Sequence, residues 1–125
     1  MPQDLVLSVG LDARILDTRE LILRSTGYSV VSAISIKEAV FLFKDGGFDV
    51  IVLCHTLSTK DCERVTGAVR ASGSRIPIVC VSDATSDNHS SFADATVDKN
   101  PAAFLEAIED VLRNHAHIEA LHPST

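Results

Sequence analysis

The chain has 125 residues, the length of one domain, and its 46% hydrophobic content can bury a core without disulfides or metal. Aromatics make up 5% and Trp is absent, so that core is aliphatic, while a net charge of −6 argues against a nucleic-acid binder with a clustered basic face. No window reaches the roughly 18 apolar residues of a membrane span, and no basic region precedes an apolar run at the N-terminus, so the chain is read as cytoplasmic.

Leu5–Val9 is a short apolar stretch suited to a buried strand. A helix follows from Asp12 to about Thr26, with Ile15, Ile22 and Leu23 expected inward and Gly27 ending it. Tyr28–Ala33 is rich in β-branched residues and reads as the second strand. Ser35 and Glu38 form a capping box: the Ser hydroxyl accepts from the third helical amide and the Glu reaches back. The helix it opens carries Ile36, Ala39, Val40 and Phe43 as its apolar stripe and closes at Gly46-Gly47.

Phe48–Cys54 is the most strand-like run, apolar on both faces as the centre of a parallel sheet requires. A third helix is expected near Lys60–Ala71, with Val65, Ala68 and Val69 inward. Ile76–Ser82 reads as the fourth strand, with Pro77 near its start, where no ladder donor is needed. Ser86–Ser91 is polar and predicts a short helix, and Ala95–Asp98 a fifth strand. Asn100 then caps a last helix that starts at Pro101. Only the extreme ends, Met1–Gln3 and His122–Thr125, read as disordered.

Such alternation predicts an α/β domain: a doubly wound five-stranded parallel sheet with helices on both faces. Residues 1–125 form one domain, with a core at about 4–115 and an extension or tail at 116–125. Function in such sheets collects at the carboxyl ends of the strands: Gly10–Asp12, Cys54–Ser58, Ser82–Ala84 and Asp98–Asn100.

The stretches STGYSVVSA, GGFDVIVLC, IPIVCVS and ADATVDKN, in this order and spacing, resemble the receiver domain of bacterial response regulators. The resemblance covers about Asp4 to His115 and implies strand order 2-1-3-4-5. In that family an aspartate ending the third strand accepts a phosphoryl group, and an acidic pair after the first strand binds Mg²⁺. A Ser or Thr ends the fourth strand, and Lys-Pro ends the fifth. Here Lys99 and Ser82 fall on the lysine and the hydroxyl residue, although Asn100 replaces the proline. Cys54 stands at the phosphoacceptor position, and Gly10 and Leu11 stand where the acidic pair belongs. Asp12 is left as the nearby carboxylate, and Thr96 replaces the aromatic residue of the fifth strand.

Mg²⁺ wants hard oxygen ligands, so these losses predict that its binding is lost or weak and that no other cofactor is used. The resemblance then implies a stand-alone pseudo-receiver of two-component or phosphorelay type. It would not be an enzyme and would act by binding a histidine kinase, another regulator or a second copy, without nucleic acid or membrane. Two alternatives compete: phosphorylation at another residue such as Asp12 or His55, and a redox switch at Cys54 whose thiol Lys99 would activate. Cys80 reads as core and Cys62 as a partly buried helical residue. Neither the cysteines nor His115, His117 and His122 have metal-ligand spacing, so no metal site is expected. Phe104, Ile108, Val111, His115 and Ile118 recur at four- and three-residue steps, so the last helix is expected to run on past the sheet. Ile118 and Leu121 are there as candidate dimer or partner contacts.

Overall fold

The structure, a computed structural model, describes residues 4–45, 47–54, 56–82, 95–98 and 101–121. For Ser82, residues 95–98 and residues 114–121 it gives the course of the backbone. The readings of Gly46, of Ser86–Ser91 and of the two chain ends lie outside these residues, as do those of His55, Lys99 and Asn100.

The strands are β1 (Leu5–Val9), β2 (Ser29–Ala33), β3 (Val50–Leu53), β4 (Ile78–Ser82) and β5 (Ala95–Asp98). The helices are α1 (Ala13–Ser25), α2 (Ile36–Asp45), α3 (Thr59–Ala71) and α4 (Pro101–Leu121). Every strand pair is parallel, in the order β2-β1-β3-β4-β5. The parallel α/β sheet expected from the alternation is the one observed.

Side chains alternate across the sheet and divide the core in two. Leu7, Val9, Ile51, Leu53, Ile78 and Cys80 face α2 and α3, where Ala39, Cys62, Val65 and Val69 meet them. Val6, Val50, Val52, Val79 and Val81 face α1 and α4, against Leu23, Phe104 and Ile108. All four residues of β3 are buried, because helices cover it from both sides. The strand is shorter than the expected Phe48–Cys54, yet its ladder extends past both ends. Asp49 N–H donates to Leu5 O at 2.8 Å and Cys54 N–H to Val9 O at 2.8 Å. β4 begins at Ile78, just after Pro77, whose carbonyl accepts from Ile51 N–H at 3.0 Å.

Local chemistry sets the helix ends. Ser35 Oγ accepts from Glu38 N–H at 3.1 Å, as the capping box requires. The Glu38 carboxylate accepts from Ile34 N–H at 2.8 Å, one residue earlier than the usual partner. Gly27, at φ +101°, follows α1 in the left-handed conformation that stops a helix, and Gly73 at φ +92° does the same after α3.

Two inward assignments need correction. In α1 the buried residues are Leu16, Arg19 and Leu23; Leu23 and the partly buried Ile22 pack on the core as expected, whereas Leu16 takes the place expected of the half-buried Ile15. The stripe is rotated by one residue from the expected one, which brings a cation inside. In α3, Cys62 is fully buried and Ala68 half-buried, so the stripe starts a turn earlier than Val65. Helix α4 has 21 residues, about 30 Å, whereas no strand exceeds 5 residues, about 17 Å. Among the residues of α4 whose side chains are described, the last fully buried one is Ile108, and the backbone continues in helix to Leu121. Among the described residues no helix is long and apolar enough to cross a membrane.

Phe104 is the largest fully buried side chain and closes the α1–α4 side of the core. Phe104→Ala is expected to cost about 3–5 kcal/mol, read as a lower urea midpoint with little change in slope.

Candidate functional site

The carboxyl ends of β1 and β3 meet edge to edge, since Val9 pairs with Leu53. That register sets Gly10 against Cys54. A Cβ at position 10 would lie 3.1 Å from Cys54 Cβ, 3.2 Å from Thr56 Oγ1 and 3.3 Å from Cys54 Sγ. Glycine is therefore the residue that leaves Cys54 its room. A Cβ at position 10 would press on Cys54 and Thr56, which would have to give by a few tenths of an ångström. Gly10 N–H continues the sheet by donating to Ala33 O at 3.1 Å.

Leu11 turns outward and is half exposed, while its N–H donates to Thr56 Oγ1 at 3.0 Å. Asp12 is the N-cap of α1, and its carboxylate accepts from Arg14 N–H at 2.9 Å. This exposed carboxylate thus holds one of the helix's unpaired donors. Gly10 thus packs against Cys54 and Thr56, and Leu11 joins them through its backbone amide. The side chains of Ser82, Thr96 and Lys99 lie outside the described residues.

Cys54 is 1% exposed. Burial pushes its thiol above the ordinary value, and the neighbouring Arg19 guanidinium opposes that shift without overcoming it. The thiol is accordingly neutral at physiological pH. Ser8 lies on the same side, fully buried, and its hydroxyl approaches Cys54 without completing a hydrogen bond of regular geometry.

Arg19 was not anticipated. It is 5% exposed, it neighbours the Cys54 thiol, and its guanidinium carbon stands 5.3 Å from the centre of the Phe104 ring. A cation over an aromatic face gains up to about 2 kcal/mol when desolvated, and here the contact ties α1 to α4. The available signal was the spacing Leu16, Arg19, Leu23, which forms one face of a helix once its stripe is placed correctly. Only the redox-switch alternative set a positive charge, that of Lys99, beside Cys54; among the described residues Arg19 brings one there.

The raised Cys54 thiol has a consequence for stability. The folded state favours the protonated form, so this contribution is complete below the unfolded thiol value of about 8.5 and is lost as pH rises through the higher folded value. Thermal melts of the natural chain and of Cys54→Ala should therefore converge above about pH 8.5, with the natural chain losing its margin. A margin that stays constant up to pH 11 would show that the thiol titrates normally.

No protein-family model and no curated protein matches the sequence. Solved structures do match. A CheY-like response regulator receiver domain protein from Methanospirillum hungatei superposes with a TM-score of 0.79 at 25% identity, covering 93% of this chain and 98% of that one. Vibrio cholerae chemotaxis protein CheY4 gives 0.77 at 24% identity, over 88% and 99% of the two chains. The response regulator TrrA of Thermotoga maritima, solved in complex with Mg²⁺ and BeF, gives 0.76 at 23% identity, over 87% and 99%. In architecture, over nearly its whole length, the chain is similar to CheY-like response-regulator receiver domains.

Proposed function

We propose that this chain is a pseudo-receiver: a cytoplasmic signalling module of two-component type that binds a protein partner without taking a phosphoryl group at position 54. The fold it shares with response regulators supports the signalling half of this reading. The other half rests on one observation, a buried neutral thiol with a guanidinium beside it where the resemblance implies an aspartate. A thiol kept protonated and out of solvent is a poor nucleophile toward phosphorus. The module is accordingly not an enzyme.

Among the described residues, those at the carboxyl ends of β1 and β3 do not fit Mg²⁺. That ion takes hard oxygen donors, usually one or two carboxylates plus waters. Gly10 and Leu11 offer no side-chain oxygen, and the Asp12 carboxylate is engaged by its own helix. Arg19 adds a positive charge nearby, in a setting where charges are poorly screened. Among the described residues no group of three His, Cys, Asp or Glu side chains could hold a metal ion.

Ser82, Thr96 and Lys99 complete the vestigial positions in this reading. The partner is a histidine kinase, another regulator or a second copy of the chain, with Ile118 and Leu121 at the end of α4 as the contacts. Both competing readings make distinct demands. A switch at Cys54 needs an accessible thiol of low pKa, and Cys54 has neither property. Phosphorylation at Asp12 needs a carboxylate released from its cap.

Incubation of the chain with acetyl phosphate and Mg²⁺, followed by intact-mass measurement, is expected to show no phosphoryl addition. An adduct on any residue would overturn the reading. Cys54→Asp is expected to stay equally unmodified, because the new carboxylate gains the Arg19 guanidinium as its partner and no metal ligand with it. Mg²⁺-dependent phosphorylation of that variant would show that the thiol alone blocks the chemistry.

A further inference from the structure

Helix α2 is apolar on more sides than the core covers. Ile36, Ala39, Leu42 and Phe43 pack inward. Phe41 points the other way: it is 67% exposed, whereas Phe48 and Phe104 are buried and Phe43 is half-buried. Ile34, just before the Ser35 cap, is 50% exposed. Ile34 and Phe41 line one mostly apolar groove of about 370 Å³ together with Ser35, Lys37 and Glu38. Single apolar side chains on a surface need no explanation, but a Phe and an Ile that share a groove on a helix are the usual mark of an interface.

The charges of the groove select its occupant. Lys37 and Glu38 are successive helical residues, about 100° apart around the axis, so they stand on opposite flanks of the line through Phe41. Both are exposed. One carboxylate oxygen of Glu38 accepts from Ile34 N–H at 2.8 Å, which holds the group in place while its other oxygen can accept from outside. Among the described residues no ion pair engages Lys37. A face with one cation and one anion on either side of an aromatic anchor is complementary to itself.

We propose that this face of α2 binds a second copy of the chain, with the two helices parallel and related by a two-fold axis along them. Phe41 then meets Phe41 on the axis, and each Lys37 stands opposite Glu38 of the other copy. An antiparallel pair would set Lys37 against Lys37 and Glu38 against Glu38, so the charges fix the orientation. The proposal goes beyond the signalling reading and stands whether or not position 54 takes a phosphoryl group. Its surface is separate from the end of α4, because α2 and α3 cover one face of the sheet and α1 and α4 the other. A net charge of −6 on each copy opposes association, but at about 0.15 M salt that repulsion is screened beyond about 8 Å. One helix face with two exposed ion pairs gives a weak, concentration-dependent dimer.

The test is sedimentation equilibrium of the full chain from about 1 μM to about 1 mM at about 0.15 M salt. The average mass is expected to rise from one chain toward two. Phe41→Ser should weaken the dimer by about tenfold or more, and Lys37→Glu by about tenfold, since it turns both attractive pairs into repulsive ones. A mixture of K37E with E38K should dimerise about as well as the natural chain, although neither variant does so alone. Glu38→Lys gives up a cap contact, so a far-ultraviolet spectrum checks its folding; the exposed Phe41 and Lys37 variants carry the test should it unfold. A single copy at about 1 mM would overturn the proposal and leave the groove to a different protein. So would a dimer that Phe41→Ser and Lys37→Glu leave intact, a dimer that Leu121→Ser abolishes, or a folded mixture no better than its parts. None of these outcomes bears on phosphoryl transfer at position 54.

Discussion

A guanidinium buried beside a thiol governs the carboxyl end of this sheet. Moving a cation out of water costs several kcal/mol, so Arg19 stays inside only where neighbouring groups compensate. Phe104 offers its ring face, and Cys54 and Ser8 bring polar atoms to the same place. Since Arg19 belongs to α1 and Phe104 to α4, the charge also joins the two helices that cover one face of the sheet. A positive group fixed at this point disfavours a divalent cation near it by simple repulsion.

The strand-end residues are coupled through that arrangement. Gly10 has no side chain, and the space it leaves is filled by Cys54 and Thr56. Thr56 reaches back to the Leu11 amide, which fixes the loop between β1 and α1. Asp12, the one carboxylate of that loop, caps α1. Gly10, Leu11, Asp12, Cys54 and Thr56 thus make a small structural unit through packing, backbone and cap contacts.

Much of this was legible in the sequence because it rests on local patterning. Continuous apolar runs marked the strands, Ser35 with Glu38 marked the start of α2, and Gly27 marked the end of α1. The closeness of Gly10 to Cys54 follows from the pairing of β1 with β3, which the alternation of strands and helices already implied. Arg19 was not legible for a physical reason: arginine is almost never buried, so the apolar stripe was drawn through Ile15 and not through Leu16 and Arg19. That Cys62 and Cys80 share one core cluster depends on how α3 lies over the sheet, which no local pattern encodes. Its first sign, the burial of Cys62, was likewise underestimated.

The most direct measurement is a crystal grown in manganese, with anomalous scattering collected at the manganese edge. The account predicts no anomalous peak beside residue 54 and an Arg19 guanidinium still seated between Cys54 and Phe104. A manganese ion in regular octahedral coordination next to that thiol would contradict it.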